Sequence, residues 1–179
     1  MKKYRVLALM MVLFSIFFSG CFLPVFGNRE TLPKPETALE FWIAENVDDV
    51  DFSKYQIRYD WIGGTVYYGT GYVPTIAENG ERIEPEHCVV YTVTSYPDYA
   101  NKEQHVTTIR ITDPEIEVYG ITLRSSFEEF ERLITAQGFE IKQKDENFIR
   151  AGKGKYTITL SETVMYICVN VTNLMGIVF

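Results

Sequence analysis

The sequence predicts an α+β fold in which two helices pack on an antiparallel β-sheet. Two segments carry apolar residues at helical spacing, several short segments alternate apolar and polar residues, and glycine-rich turns separate them. The order helix, strands, helix, strands also suggests a duplicated helix-plus-hairpins unit, with subunits at 37–119 and 120–179, although no residue-level repeat accompanies it. We expect residues 37–179 to form one domain, a comfortable size for a single core.

The first predicted helix spans residues 36–47. Its apolar residues fall on one helix face, at positions i, i+3, i+4 and i+8: Leu39, Trp42, Ile43 and Val47. Pro35 suits a helix start. Three aspartates in the segment 48–51 predict its end, because aspartate is a poor residue for a helix interior.

A strand-rich region follows this helix. Alternation predicts strands at 54–62, 65–73, 88–96 and 104–112, with 115–119 prolonging the last of them. Gly63-Gly64 between the first two is a two-residue hairpin signal.

The second predicted helix has the clearest local signature in the chain. Ser125 and Glu128 fit a capping box, in which the serine covers the N3 amide and the glutamate reaches back. Phe127, Phe130 and Ile134 provide an apolar stripe, and Gly138 predicts the helix end. Four further strands are predicted after it, at 139–144, 147–151, 155–160 and 164–173. Their apolar residues alternate so that each set shares one face, as Ile158 with Leu160 and Met165 with Ile167, Val169 and Val171.

The amino terminus has the features of an export signal. Lys2, Lys3 and Arg5 form a basic region, and residues 6–18 follow without a charge, a length that is short for a membrane-spanning helix. Ser19-Gly20-Cys21 then resembles the lipobox of bacterial lipoproteins, although Phe18 stands where leucine is usual. An uncut signal anchor is the alternative, because residues 6–26 contain no charged side chain, and a plain secreted form is a second one.

The lipobox resemblance implies how the protein is placed in the cell. Residues 1–20 would be a cleaved signal peptide, and Cys21 would carry the acyl chains, palmitate among them, that hold the protein in the cell membrane. The body would lie on the extracytoplasmic side, connected by a tether at 21–36 whose prolines and glycine fit no helix or strand pattern. Inner and outer membrane are not distinguished by these residues.

A second resemblance concerns the body. Residues 120–139, with Gly120-Ile121-Thr122-Leu123, the serines and glutamates of the helix start, and Gly138-Phe139, resemble the opening of small exported α+β modules. BamE (SmpA/OmlA) lipoproteins and β-lactamase-inhibitor-protein modules are examples. The similar positions are capping and packing residues, so the resemblance implies a fold and carries no functional residue.

The charge of the chain argues against nucleic-acid binding. The net charge is -7, and loss of the three cations of the signal takes the exported part to -10. Binding to a phosphate backbone needs clustered lysine and arginine. The expected partner is instead the membrane, through the lipid on Cys21, together with an envelope protein or peptide.

Two cysteines and three tyrosines are the remaining candidates for a disulfide and a binding surface in the body. Cys88 and Cys168 could form a disulfide across an 80-residue loop or remain buried free thiols. Tyr67, Tyr68 and Tyr72 crowd one predicted hairpin and could form an aromatic binding surface. The alternative for these tyrosines is cross-strand packing in the core.

No pattern in the sequence identifies a catalytic site, and we expect no cofactor and no metal. The leading hypothesis is therefore an anchored, noncatalytic binding module at the cell envelope. An exported enzyme or metal-dependent protein that uses His87 or His105 is one alternative, and a structural assembly or immunity factor is another.

Overall fold

The computed structural model of the protein describes residues 31–61, 64–95 and 103–169. Within these ranges the backbone forms one α-helix, α1 (Phe127–Ala136), one 3-10 turn (Phe52–Lys54) and ten strands. The strands are β1 (Ile57–Trp61), β2 (Gly64–Tyr68), β3 (Thr75–Ile76), β4 (Arg82–Ile83), β5 (Val89–Ser95), β6 (Gln104–Ile111), β7 (Glu140–Lys144), β8 (Phe148–Lys153), β9 (Tyr156–Ser161) and β10 (Met165–Val169).

Eight strands form one antiparallel sheet in the order β1-β2-β5-β6-β10-β9-β8-β7, and β3 and β4 form a separate hairpin. The sheet consists of two four-stranded meanders, β1-β2-β5-β6 and β7-β8-β9-β10, which meet through their last strands. At this junction Ile109 of β6 lies opposite Ile167 of β10. Only the second meander is preceded by an α-helix in the described residues, so a helix-plus-hairpins unit is present once and the predicted duplication of that unit is wrong.

The predicted fold with two helices is also wrong, because residues 36–47 are not helical. Ala44 has a left-handed backbone, with φ of 64°. Its amide donates to the Val106 carbonyl at 2.7 Å, and the Val47 amide donates to the Gln104 carbonyl at 2.9 Å. The segment therefore hydrogen-bonds to the start of β6, where a helix would have satisfied its own backbone groups.

The apolar stripe of this segment is nevertheless buried. Leu39, Trp42, Ile43 and Val47 are each less than 5% exposed. Phe41, which lies off the predicted helix face, is buried as well, with an edge-on contact between its ring and that of Tyr91 at 5.2 Å. Three consecutive buried residues at 41–43 suit an irregular segment enclosed by the core better than a helix with one solvated face.

Residues 31–50 form what we call the N-terminal arm, and the folded body includes its first residues. Leu32 is 5% exposed, and its carbonyl accepts a hydrogen bond of 2.8 Å from the Trp42 indole. The Tyr119 hydroxyl donates to the Pro33 carbonyl at 2.6 Å. Residues 31–36, which the sequence assigns to the tether, therefore pack against the body.

Helix α1 confirms the second predicted helix, with its cap displaced by one residue. The Ser126 hydroxyl, rather than that of Ser125, accepts from the backbone of the third helical residue, the Glu129 amide, at 3.2 Å. The helix ends at Ala136, and Gly138 adopts a φ of 80°. The Phe139 amide then reaches the Ile134 carbonyl at 3.3 Å, which is the closing bond of a Schellman turn.

The other strands are present where they are predicted but with shifted ends, and the strand predicted at 65–73 ends already at Tyr68. The predicted strand at 54–62 begins only at Ile57, after the 3-10 turn. Residues 115–119 form no strand; Val118 and Ile121 form a single bridge around the turn Tyr119-Gly120. The last strand is described as far as Val169, and residues 170–173 of its prediction lie outside the described part of the chain.

One face of the sheet carries the core. Helix α1 contributes Phe130 and Ile134, and the N-terminal arm contributes its buried aromatic residues. The sheet supplies the rest through alternate residues of its strands, among them Tyr91, Ile109, Ile111, Ile149, Ile158, Leu160, Met165 and Ile167. We call this the inner face. The alternate residues of the same strands point to the opposite, outer face.

Candidate functional site

The outer face is divided into a buried half and an open half. Over β2 and β5 it carries a second apolar cluster, made of Val66, Tyr68, Cys88 and Val90 with Tyr72 packed against it. Over β8, β9 and β10 it is open and forms a shallow depression of about 530 Å³, which we call the groove. Its lining residues are Phe148, Arg150, Thr157, Thr159, Ser161, Val164, Tyr166, Cys168 and Val169.

Strand alternation produces the groove directly. On β9 the apolar side chains of Ile158 and Leu160 are buried on the inner face, which leaves the hydroxyls of Thr157, Thr159 and Ser161 on the outer one. On β10 the same alternation places Tyr166 and Cys168 outside. The groove therefore presents these hydroxyls beside the apolar side chains of Phe148, Val164 and Val169.

One cross-strand row connects the groove to the middle of the sheet. Arg150 lies opposite Thr159, which lies opposite Tyr166, which lies opposite Arg110 of β6. Arg110 is engaged by Glu84, at 2.8 Å between Nη1 and Oε2. Burial opposes its charge, but the pKa of Arg110 is raised overall by this carboxylate. Arg110 is therefore the last residue of this row, and its charge is paired with that of Glu84.

Arg150 is held differently. Its Nε donates to the Thr159 hydroxyl at 3.3 Å, and its guanidinium carbon lies 5.5 Å from the centre of the Phe148 ring. The side chain is exposed. The lining of the groove contains no aspartate and no glutamate, so the guanidinium gives the groove a local positive charge in an acidic protein.

Cys168 lies on the groove floor, between Thr157 of β9 and Thr108 of β6. Burial raises the pKa of its thiol, with smaller opposing effects from Thr108 and the charge of Arg150. A raised pKa disfavours the thiolate, the form that acts as a nucleophile. The thiol thus contributes a weakly polar surface and is poorly suited to covalent chemistry.

The register of the sheet separates the two cysteines of the body. Cys168 is level with Thr108, whereas Cys88 is level with Thr112, whose hydroxyl accepts from the Cys88 amide at 2.9 Å. The cysteines are therefore two strands apart and four residues out of register. Both are free thiols, and a disulfide would need their Cα atoms within about 7 Å. The disulfide alternative does not fit this register.

Tyr67, Tyr68 and Tyr72, which the sequence suggests as a binding surface, are all engaged in contacts within the protein. Tyr68 is fully buried in the second apolar cluster. Tyr67 stacks on Phe52 with ring centres 4.3 Å apart. The Tyr72 hydroxyl donates to Asp113 at 2.8 Å, and burial raises the pKa of Tyr72. These residues do not form an open aromatic platform.

The two histidines do not converge on a site. His87 Nδ1 lies 3.2 Å from the Thr112 carbonyl on an exposed turn. His105 Nδ1 lies 3.2 Å from the Ala44 carbonyl, and its Nε2 is 3.3 Å from a Glu103 carboxylate oxygen. Across the described residues, no group of three metal-ligating side chains comes together.

Sequence reasoning missed the groove. The alternation Thr157, Ile158, Thr159, Leu160, Ser161 predicts the buried face, and the polar half of the same pattern is the signal that could have indicated a surface. A second signal is the arginine of β8, two residues after Phe148. What no pattern shows is that the outer face of β8, β9 and β10 is uncovered.

Cys21 and the predicted signal peptide lie outside the described residues. No helix in the described part of the chain is both long and apolar enough to cross a membrane. Comparison of the chain with known protein families, with curated proteins and with solved structures finds no match.

Proposed function

We propose that the protein is a lipid-anchored, noncatalytic binding module of the bacterial cell envelope, and that the groove is its binding surface. The anchor is supported by the basic region, the uncharged run and Ser19-Gly20-Cys21. The observation that carries the binding role is the asymmetry of the sheet. Its inner face is filled by α1 and the N-terminal arm, while the outer face over β8–β10 presents hydroxyl, aromatic and guanidinium groups to solvent.

Binding suits this surface because it is pre-formed. The groove residues lie on three neighbouring strands whose other face is packed, so little conformational entropy is lost when a ligand is bound. Hydroxyls, a tyrosine and an arginine are groups that provide orientation and hydrogen bonds at interfaces. Catalysis is not supported by the same residues, since the groove lining has no carboxylate or histidine and its thiol has a raised pKa.

Site-specific crosslinking in living cells tests the binding role. A photoreactive phenylalanine analogue replaces Thr159 in the groove, and a matched control carries it at Glu128, an exposed position of α1 on the other side of the sheet. We expect discrete adducts of higher mass from position 159 and none of the same mass from 128. Identical adducts from both positions, or none from 159, would contradict the assignment of the groove.

The anchor is tested separately by fractionation and mass spectrometry. We expect the mature wild-type chain to begin at an acylated Cys21 and to be retained by membranes, and Cys21→Ser to lose the mass of the acyl chains. A wild-type chain that begins at an unmodified Met1 would instead identify the uncut signal anchor.

A further inference from the structure

We propose that the groove binds an extended peptide with an acidic side chain, and that Arg150 anchors its carboxylate. This inference rests on the proposed binding role of the groove and goes beyond it by naming the chemistry of the ligand. It follows from the charge of the groove, from the way the guanidinium is held, and from the spacing of the hydroxyls.

Arg150 lacks the carboxylate partner that three other arginines of the body have; among the described residues Arg82 lacks one as well, and it donates to the Ile57 carbonyl instead. Arg110, Arg124 and Arg132 each lie within 4.0 Å of a carboxylate, that of Glu84, Glu115 or Glu129. Among the described residues no carboxylate lies within that distance of Arg150, although the chain has 24 acidic residues. A cation left without a counter-ion in a groove without carboxylates favours an anionic partner.

The Arg150 guanidinium is also preorganised for binding. The Phe148 ring and the Thr159 hydroxyl hold the Arg150 guanidinium from two sides, through a cation–π contact of 5.5 Å and a hydrogen bond of 3.3 Å. The hydrogen bond uses Nε. Its two Nη atoms make no hydrogen bond within the described part of the chain, so they remain available as a planar fork that matches a carboxylate.

The hydroxyls of β9 have the spacing of side chains on one face of an extended peptide. Thr157, Thr159 and Ser161 alternate along β9, so their side chains repeat every two residues, or about 6.8 Å. Alternate side chains of an extended peptide have the same repeat. A peptide lying along β9 would therefore place alternate side chains over successive hydroxyls of β9, with Tyr166 beside its middle, opposite Thr159. A compact small anion would use only one position of this series.

The test uses two labelled peptides that differ in one charge, Gly-Thr-Ser-Thr-Glu-Thr-Ser-Thr-Gly and its twin with Gln in place of Glu. Binding to the full-length protein in detergent is followed by fluorescence anisotropy at low salt. We expect the Glu peptide to bind about tenfold more tightly, the effect of roughly one charge-assisted contact. Arg150→Gln should abolish this preference, and Arg150→Glu should reverse it. The matched control is Arg132→Gln, which changes an exposed arginine of α1. This variant should keep the preference for the Glu peptide.

Two results would overturn the inference. One is equal affinity of the two peptides, including the absence of binding by both; the other is a preference for the Glu peptide that survives Arg150→Gln. A uronate-containing oligosaccharide serves as a third probe. Its binding in an Arg150-dependent manner, with no discrimination between the peptides, would replace the peptide by an acidic glycan.

The two experiments distinguish failure of the acidic-peptide inference from failure of the proposed binding role. Adducts at position 159 that persist while the peptides are not discriminated would remove the acidic-peptide inference and leave the binding role in place. Loss of the adducts at 159 would remove the binding role itself. Because Arg150 is exposed, its variants should keep the wild-type circular dichroism spectrum, so a loss of preference reports on the charge.

Discussion

At the scale of single residues, backbone geometry is most restrictive at the start of β2. Gly64 has a φ of 136°, and a Cβ added there would lie 2.3 Å from the Val93 carbonyl oxygen and 2.6 Å from the Thr94 hydroxyl. Both a positive φ and a close approach of β5 therefore require glycine. The Gly63-Gly64 hairpin signal located this position, but only the pairing of β2 with β5 shows why a side chain cannot be placed there.

Gly64→Ala should reduce the free energy of unfolding by about 2–4 kcal/mol, since it combines backbone strain with a clash against main chain. Gly71→Ala is the matched control, because Gly71 has a φ of 91° and a Cβ added to it would have nothing within 4 Å. It should cost only about 1 kcal/mol, the conformational part. Urea unfolding of both variants measures the difference, and equal losses would show that the approach of β5 is not limiting.

At the scale of elements, the arm and α1 show how local signals and tertiary contacts compete. The stripe at Leu39, Trp42, Ile43 and Val47 predicts burial correctly and helical structure wrongly. The start of β6 offers backbone partners to Ala44 and Val47, and the aromatic residues of the arm are all buried at once in this conformation. The ends of α1 are satisfied locally by their caps, so its helix does not depend on such partners.

The position of the N-cap is a testable property of α1. Ser126→Ala should lower the free energy of unfolding by about 1 kcal/mol, because the Glu129 amide would lose its acceptor. Ser125→Ala is the control, since its hydroxyl accepts from the Thr122 amide, which lies outside the helix, and we expect a loss of about 0.5 kcal/mol or less. A larger loss from Ser125→Ala in urea titrations would return the cap to Ser125.

At the scale of the whole molecule, burial of tyrosines links stability to alkaline pH. Burial raises the pKa of Tyr72 and Tyr91, and it raises the pKa of Tyr119 to about 12. In the unfolded chain a tyrosine ionises near pH 10, to within about one unit. Between these values the native state holds more protons than the unfolded state, so the free energy of unfolding falls as the pH rises.

The contribution of Tyr119 to the free energy of unfolding should be constant below about pH 10 and should decline from there towards about pH 12. Tyr119→Phe should be less stable at neutral pH by about 1 kcal/mol, because the hydrogen bond to Pro33 is lost. Its decline above about pH 10 should nevertheless be shallower than that of the wild type. Urea unfolding on both sides of this pH measures both effects; parallel declines in the two proteins would show that Tyr119 does not contribute to the pH dependence.

Features with short-range causes could be predicted from the sequence. Helix α1 with its Gly138 end, and strands β5 to β10 with their alternating faces, follow from capping groups and periodicity within a few residues of one another. The proposed anchor at Cys21 rests on the same kind of local signal, the order of a basic region, an uncharged run and small residues.

Tertiary structure alone decided the features that depend on neighbours in space. It buried Tyr68, separated Cys88 from Cys168 by register, paired the arm with the start of β6, and brought Arg150, Thr159 and Tyr166 into one row. The physical reason is that strand order and the covering of a sheet face are set by the total burial of apolar surface and by the pairing of all backbone groups. Neither quantity can be read from a window of sequence, although the side chains that line the groove were present in it.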